Sequence, residues 1–120
     1  MIQSYRDLLV WQKAVDLVVD CYQATKAFPK TETYGLVSQI HRAASSVPAN
    51  IAEGHGRDHL GDYLRHLSIA KGSLVELETH LIVSHRLSFL TRETLQRLLP
   101  KTAEIGRMLE GLSKKLSQSA

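Results

Sequence analysis

Apolar residues recur along this chain at steps of three and four, and no four-residue stretch alternates as a half-buried strand would. In the first segment Trp11, Ala14, Val15, Val18, Cys21, Tyr22 and Thr25 share one helical face. Phe28-Pro29 ends it, because the residue before a proline is pushed out of helical angles. Thr31 or Thr33 is placed to cap the next helix, whose stripe is Leu36, Ile40, Ala43, Val47 and Ile51. Gly54-His55-Gly56 closes that helix, and Asp58 is a candidate cap for the third. There Leu60, Tyr63, Leu67, Ala70, Leu74, Leu77, Leu81 and Ser84 alternate steps of three and four, as in a coiled-coil seam. Thr91 is placed to cap a fourth helix, with Leu90 and Leu95 spaced as a hydrophobic staple. Its stripe is Leu95, Leu98, Leu99, Ile105, Leu109, Leu112 and Leu116, and Pro100 either kinks or restarts it.

The pattern predicts helices over about residues 8–27, 32–56, 59–87 and 91–116, in one domain covering residues 1–120. Short loops between helices of this length give an all-α, antiparallel up-down four-helix bundle. Ala44, Ala49 and Ala52 on the second helix, and Leu64, Ile69 and Val75 on the third, lie outside the stripes. Such a surplus means either a wide core or a subunit interface.

The stretch Gln39–Gly54 departs most from a bland helix, because it holds Pro48, Asn50 and Glu53. A proline inside a helix removes a donor and clashes with the carbonyl four residues back, here Ala44, at a cost of about 3 kcal/mol. Either the helix continues through a kink, or it breaks at Val47-Pro48 and restarts with Asn50 as cap. Asn50 and Glu53 are neighbours on one face, and Arg42, Ser46 and Asn50 form a second stripe. If the second and third helices reverse about a turn near Gly56, Asn50 falls beside Tyr63 and Glu53 beside Leu60. Ser73 and Glu76 then lie near Ile40 and Gln39, Glu53 can pair with Arg57, and Arg42 with Lys71 or Glu76. The polar motif Asn50, Glu53 and Gly54 is accordingly assigned a structural role, fixing the kink or the subunit register.

The run from Gly35-Leu36-Val37-Ser38-Gln39-Ile40 to Asn50-Ile51-Ala52-Glu53-Gly54 resembles the signature of a bacterial four-helix-bundle family. Its members are typified by proteins encoded in intervening sequences within 23S ribosomal RNA genes. The resemblance continues in Leu9-Val10-Trp11-Gln12-Lys13-Ala14, in Phe28-Pro29-Lys30 and in Ile69–Thr79, covering roughly residues 5–115. It departs from the family pattern at His41 and His55. That family is similar in turn to accessory proteins of diversity-generating retroelements. The resemblance implies an up-down bundle assembled into a cyclic homo-oligomer, a pentamer, with a nucleic-acid role.

Composition adds boundaries. The 120 residues are 43% apolar and 22% charged, ordinary for a globular domain able to bury its own core. Cys21 is the single cysteine, so no intramolecular disulfide forms, and a reducing, cytoplasmic setting is expected. No signal pattern opens the chain and no apolar run spans a bilayer, so no membrane partner is expected. The net charge of +3 is uneven: residues 1–60 carry six charges of each sign, whereas residues 61–120 carry nine basic and six acidic. Arg86 to Lys101 holds four cations and one anion, and a ring would sum that field around its axis.

Candidate chemistry is sparse. His55, His59, Asp62 and His66 are spaced along one side of the loop and third helix, but His59 and His66 lie about 10 Å apart on a helix, too far to share an ion. They are expected to be exposed, and neither a metal nor a cofactor is expected. Glu76 and His80 fit a surface hydrogen-bonded pair. Cys21 lies on an apolar stripe and fits a buried thiol better than a nucleophile, so no enzyme is expected. The reading that remains is a non-enzymatic, oligomeric bundle that binds RNA or DNA through phosphate contacts. Its candidate residues are Arg57, Arg65, Arg86, Arg92, Arg97 and Lys101, with Lys13 and Arg42 secondary. The alternative is a scaffold or accessory subunit that docks a nucleic-acid enzyme such as a reverse transcriptase.

Overall fold

The structure, a computed structural model, describes residues 2–119. It is all-helical, with four long helices: α1 (Leu9–Thr25), α2 (Leu36–His55), α3 (Leu60–Arg86) and α4 (Arg92–Gln118). A 3₁₀ turn at Tyr5–Asp7 precedes α1 and another at Lys30–Glu32 precedes α2. The molecule measures 47 × 24 × 21 Å, with a radius of gyration of 15.0 Å. A compact sphere of this length would give about 14 Å, so the chain forms a short rod. Helix α2 packs on α3 and α1, and α4 packs on α3 and α1.

Polar contacts join neighbouring helices along their length. Along α2, Arg42, Ser46 and Asn50 meet Glu76, Ser73 and His66 of α3, so numbers rise on one helix as they fall on the other. Between α3 and α4 the pairs are Lys71–Glu110 and Glu78–Thr102, and between α1 and α4 they are Lys13–Glu104 and Asp20–Lys101. The two loops at one end meet where the Phe28 and Phe89 rings pack 5.9 Å apart.

The core is the expected seam on α3: Leu67, Ala70, Leu74, Leu77, Leu81 and Ser84 are all buried. On α2 the stripe Ile40, Ala43, Val47 and Ile51 is buried, together with Ala44. On α1 the buried face is rotated from the expected one. Val10, Ala14, Leu17, Cys21 and Thr25 point inward, while Trp11, Val15 and Val18 are half-buried and Tyr22 is exposed. On α4 it is Leu98, Thr102, Ile105 and Leu109 that are buried.

Helix α2 is continuous through Pro48, and α4 through Pro100, which removes the break-and-restart alternative at both. Asn50 therefore does not cap a second segment; its Nδ2 donates to the Ser46 carbonyl at 2.8 Å within the same helix. Two other caps differ from expectation. Neither Thr31 nor Thr33 caps α2, because the 3₁₀ turn delays its start to Leu36, where the Glu32 carboxylate accepts the Leu36 amide at 3.2 Å. Asp58 is likewise displaced: the residue before α3 is His59, without a side-chain cap. Thr91 does cap α4, its hydroxyl accepting from the Thr94 amide at 3.2 Å.

Candidate nucleic-acid interface

The polar groups singled out near Pro48 form a seam between α2 and α3, buried at its centre. Asn50 spends its amide hydrogens on the Ser46 carbonyl and hydroxyl, so its Oδ1 is left to accept from His66 Nδ1 at 3.0 Å. The proton of that imidazole therefore sits on Nδ1, and Nε2 faces the Arg65 guanidinium at 3.4 Å. His66 is 5% exposed, which corrects the expectation of a solvated histidine: Gly54 lets α3 approach so closely that the ring is enclosed. Asn50 meets His66 rather than Tyr63 because the pairing is centred near Asp58, not Gly56, with residues 56–59 forming the turn between helices. The same shift places Ser73 on Ser46 at 2.8 Å rather than on Ile40. At the seam's outer end Arg42 donates to Glu76, which also meets His80 at 3.3 Å. Partial burial pulls the Glu76 carboxyl upward, but hydrogen bonds from His80 and Arg42 and their charges outweigh it and hold it below the usual range.

The six candidate phosphate-binding cations do not share one surface. Arg57 and Arg65 lie at the end where α2 passes to α3, and Arg86 and Arg92 at the opposite end, where α3 passes to α4. Arg97 and Lys101 lie on the side of α4 against Asp20 of α1, at 3.9 and 2.6 Å. Arg57 pairs with Glu53 at 2.7 Å, as the spacing of four suggests. Lys13 is likewise held by Glu104 at 3.1 Å, and Arg42 by Glu76. Among the described residues Arg65, Arg86 and Arg92 have no carboxylate at ion-pair distance.

Two cations that charge density along the chain did not reveal complete the α3–α4 end. Lys26 follows α1 and Lys30 opens the second 3₁₀ turn; both are exposed, and neither has a carboxylate at ion-pair distance among the described residues. The Phe28–Phe89 contact draws their loop to the one between Arg86 and Arg92. The sequence carries this signal only through the expected up-down arrangement, in which the first and third loops would share an end. Two acids stand there as well: the Glu32 carboxylate accepts from the Leu36 amide, and Glu93 stands in the first turn of α4.

Two apolar surfaces remain uncovered. A groove of about 340 Å³ between α1 and α2 is lined by Trp11, Val15, Val18, Val19, Pro48 and Ala49, among others. On the outer face of α3, Ile69, Val75, Ile82 and Val83 are exposed, Val75 to 61%, and a side chain at Gly72 between them would meet open space.

Cys21 is fully enclosed, and burial, assisted by the neighbouring Asp20 charge, pushes its thiol up to about 12. Among the described residues no three histidine, cysteine or acidic side chains converge as a metal site. No helix of those residues is long and apolar enough to cross a membrane.

Comparison with known proteins adds a family. The sequence model of the 23S rRNA-intervening sequence proteins matches residues 6–111. A solved structure from Bacteroides thetaiotaomicron VPI-5482, a protein with unknown function from the S23 ribosomal protein family, is similar at a TM-score of 0.82 and 25% identity. The likeness covers 88% of this chain and 96% of that one. No curated protein matches the chain.

Proposed function

The chain belongs to the 23S rRNA-intervening sequence protein family; from that premise we propose that it is a non-enzymatic, oligomeric bundle that binds RNA or DNA through phosphate contacts. The observation that carries this reading is the set Lys26, Lys30, Arg86 and Arg92 at one end of the rod, all exposed and none paired with a carboxylate among the described residues. Unpaired cations gathered at one place attract a polyanion and release its counterions on contact. Cations already neutralised by neighbours, such as Lys101 and Arg57, contribute less. The burial of the one thiol, which holds it protonated, supports binding rather than thiol chemistry.

The reversed pairing of residues along α2–α3, α3–α4 and α1–α4 supports an antiparallel up-down arrangement. The apolar groove between α1 and α2 and the ridge on α3 support assembly. These are two different surfaces on one chain, so a ridge seated in a neighbour's groove makes a head-to-tail contact, which closes into a ring when the rotation allows. Five subunits is the number the family resemblance implies. A ring would repeat the basic end around its axis and sum its potential. The test is charge reversal: Arg86→Glu with Arg92→Glu is expected to weaken binding of both RNA and DNA at least tenfold while leaving the helical content unchanged. Undiminished affinity in that variant would remove this end of the rod from the interface.

A further inference from the structure

Resting on the nucleic-acid reading above, the same end of the rod holds features that phosphate binding does not need. Tyr34, between the second 3₁₀ turn and α2, is 96% exposed. An aromatic ring gains nothing for the fold in that position, since hydrophobic stabilisation comes from area removed from water. One turn into α2, His41 lies flat against Tyr22 of α1, with ring centroids 3.7 Å apart and planes 10° apart. Tyr22 nonetheless keeps 46% of its surface in solvent.

That stack is held rigidly. The Thr25 hydroxyl donates to the Tyr22 carbonyl at 3.1 Å, so it is left to accept from His41 Nε2 at 2.8 Å. Thr25 itself is buried. The imidazole plane is thus fixed by a hydrogen bond to a fixed partner, and a ring so oriented loses little freedom when another ring stacks nearby. Burial lowers the His41 pKa below its ordinary value, so the ring stays uncharged at neutral pH. Tyr34 lies two residues before α2 begins at Leu36, and from there the helix rises about 8 Å to His41. Lys26 caps the end of α1, four residues past Tyr22, and Lys30 lies in the turn that leads to Tyr34.

We propose that Tyr34 and the Tyr22–His41 stack receive the unstacked bases of a single-stranded nucleic acid whose phosphates run past Lys26 and Lys30. Every base has a π-face, so aromatic platforms beside a cationic track bind single strands with little sequence preference. A duplex hides those faces within its own stack and offers such a surface only its backbone. The isolation of Tyr34 between Thr33 and Gly35 also distinguishes this end from the contiguous apolar surfaces on α1–α2 and α3.

The test uses the full chain and one mixed-sequence oligonucleotide, as RNA and as DNA, single-stranded and annealed to its complement. Single strands are expected to bind at least tenfold tighter than the duplex. Tyr34→Ala is expected to cost about tenfold in single-strand affinity. Because it removes no charge, the dependence of affinity on salt should keep its slope. Tyr34→Phe, which keeps the ring, should bind as wild type does, and Tyr22→Ala should repeat the loss. Circular dichroism checks that each variant is folded, which the exposure of Tyr34 leads one to expect. Equal affinity for duplex and single strand, or Tyr34→Ala and Tyr22→Ala binding like wild type while Arg86→Glu with Arg92→Glu binds weakly, overturns the stacking site and leaves phosphate binding standing. Absence of binding to any of the four nucleic acids at low salt overturns both. A preference between the RNA and DNA single strands then identifies which sugar the site accepts.

Discussion

Gly54 stands where α2 and α3 come closest, and a methyl group there is expected to loosen the bundle. The glycine lies in the last turn of α2, buried, with helical backbone angles that alanine adopts freely. On helix propensity alone Gly54→Ala would therefore stabilise by up to about 1 kcal/mol. The added carbon, however, would sit 2.8 Å from His66 Cβ and 3.1 Å from Tyr63 Cδ1, with the Tyr63 carbonyl at 3.2 Å. Two of these neighbours belong to the backbone and to a Cβ, which move only if α3 moves. Overpacking of this kind costs about 1–3 kcal/mol. The displacement also strains the Asn50–His66 hydrogen bond one turn away, whose loss inside the protein costs about 1–3 kcal/mol. The net expectation is a loss of about 2 kcal/mol, or a fall in Tm of roughly 8 °C for a domain of this size. Urea unfolding at fixed protomer concentration measures it, with Gly106→Ala and Gly111→Ala as controls. Those two glycines lie inside α4 with nothing within 4 Å of the added carbon, and each control should gain about 0.5–1 kcal/mol. If Gly54→Ala is as stable as the controls, the close approach of α2 and α3 is not what that glycine provides.

Three further outcomes are expected. Asn50→Leu leaves the His66 Nδ1–H without its acceptor and should cost about 1–3 kcal/mol, whereas adding His66→Leu should restore part of the loss, since removing both partners of a buried hydrogen bond is nearly neutral; thermal unfolding of the single and double variants reads this directly. The Cys21 thiol, pushed up to about 12, should resist a thiol reagent at neutral pH and react only as fast as the bundle opens, so reaction in the folded state at the rate of a free cysteine would contradict its burial. His41 has a folded-state pKa below its ordinary 6.5, so the unfolded chain binds its proton first and stability falls as pH drops from 6.5 towards the folded value. That loss should shrink in His41→Gln when urea unfolding is compared at either side of the window, and an identical pH profile in the variant would refute the assignment.

The helices were legible because their stripes are long and regular: the α3 seam from Leu67 to Ser84 is buried as spaced. The α1 face was misjudged by part of a turn because its apolar residues surround more than half the helix. Trp11, Val15 and Val18 are as apolar as Leu17, and nothing local says which set faces the core and which the groove. Caps at Thr31, Thr33 and Asp58 failed for a related reason: several polar residues near each helix start compete, and a 3₁₀ turn or a loop residue took the place. His66 looked solvated because its neighbours in sequence are polar, and only the close approach at Gly54 encloses it. The basic end was half visible. Arg86 and Arg92 stood out as a charge run, while Lys26 and Lys30 join them through topology and so left no mark on local composition.

Fluorescence anisotropy of labelled RNA and DNA, titrated between about 50 and 200 mM salt with the particle mass determined on the same sample, bears most directly on a nucleic-acid-binding assembly. Four phosphate contacts per chain predict a log-linear loss of roughly fiftyfold for single strands and about 150-fold for duplex over that range. The mass should be a multiple of the 13.4 kDa chain. A monomeric mass with no binding at the lowest salt would contradict both halves of the account, leaving the cations around Phe28 and Phe89 as an ordinary solvated surface.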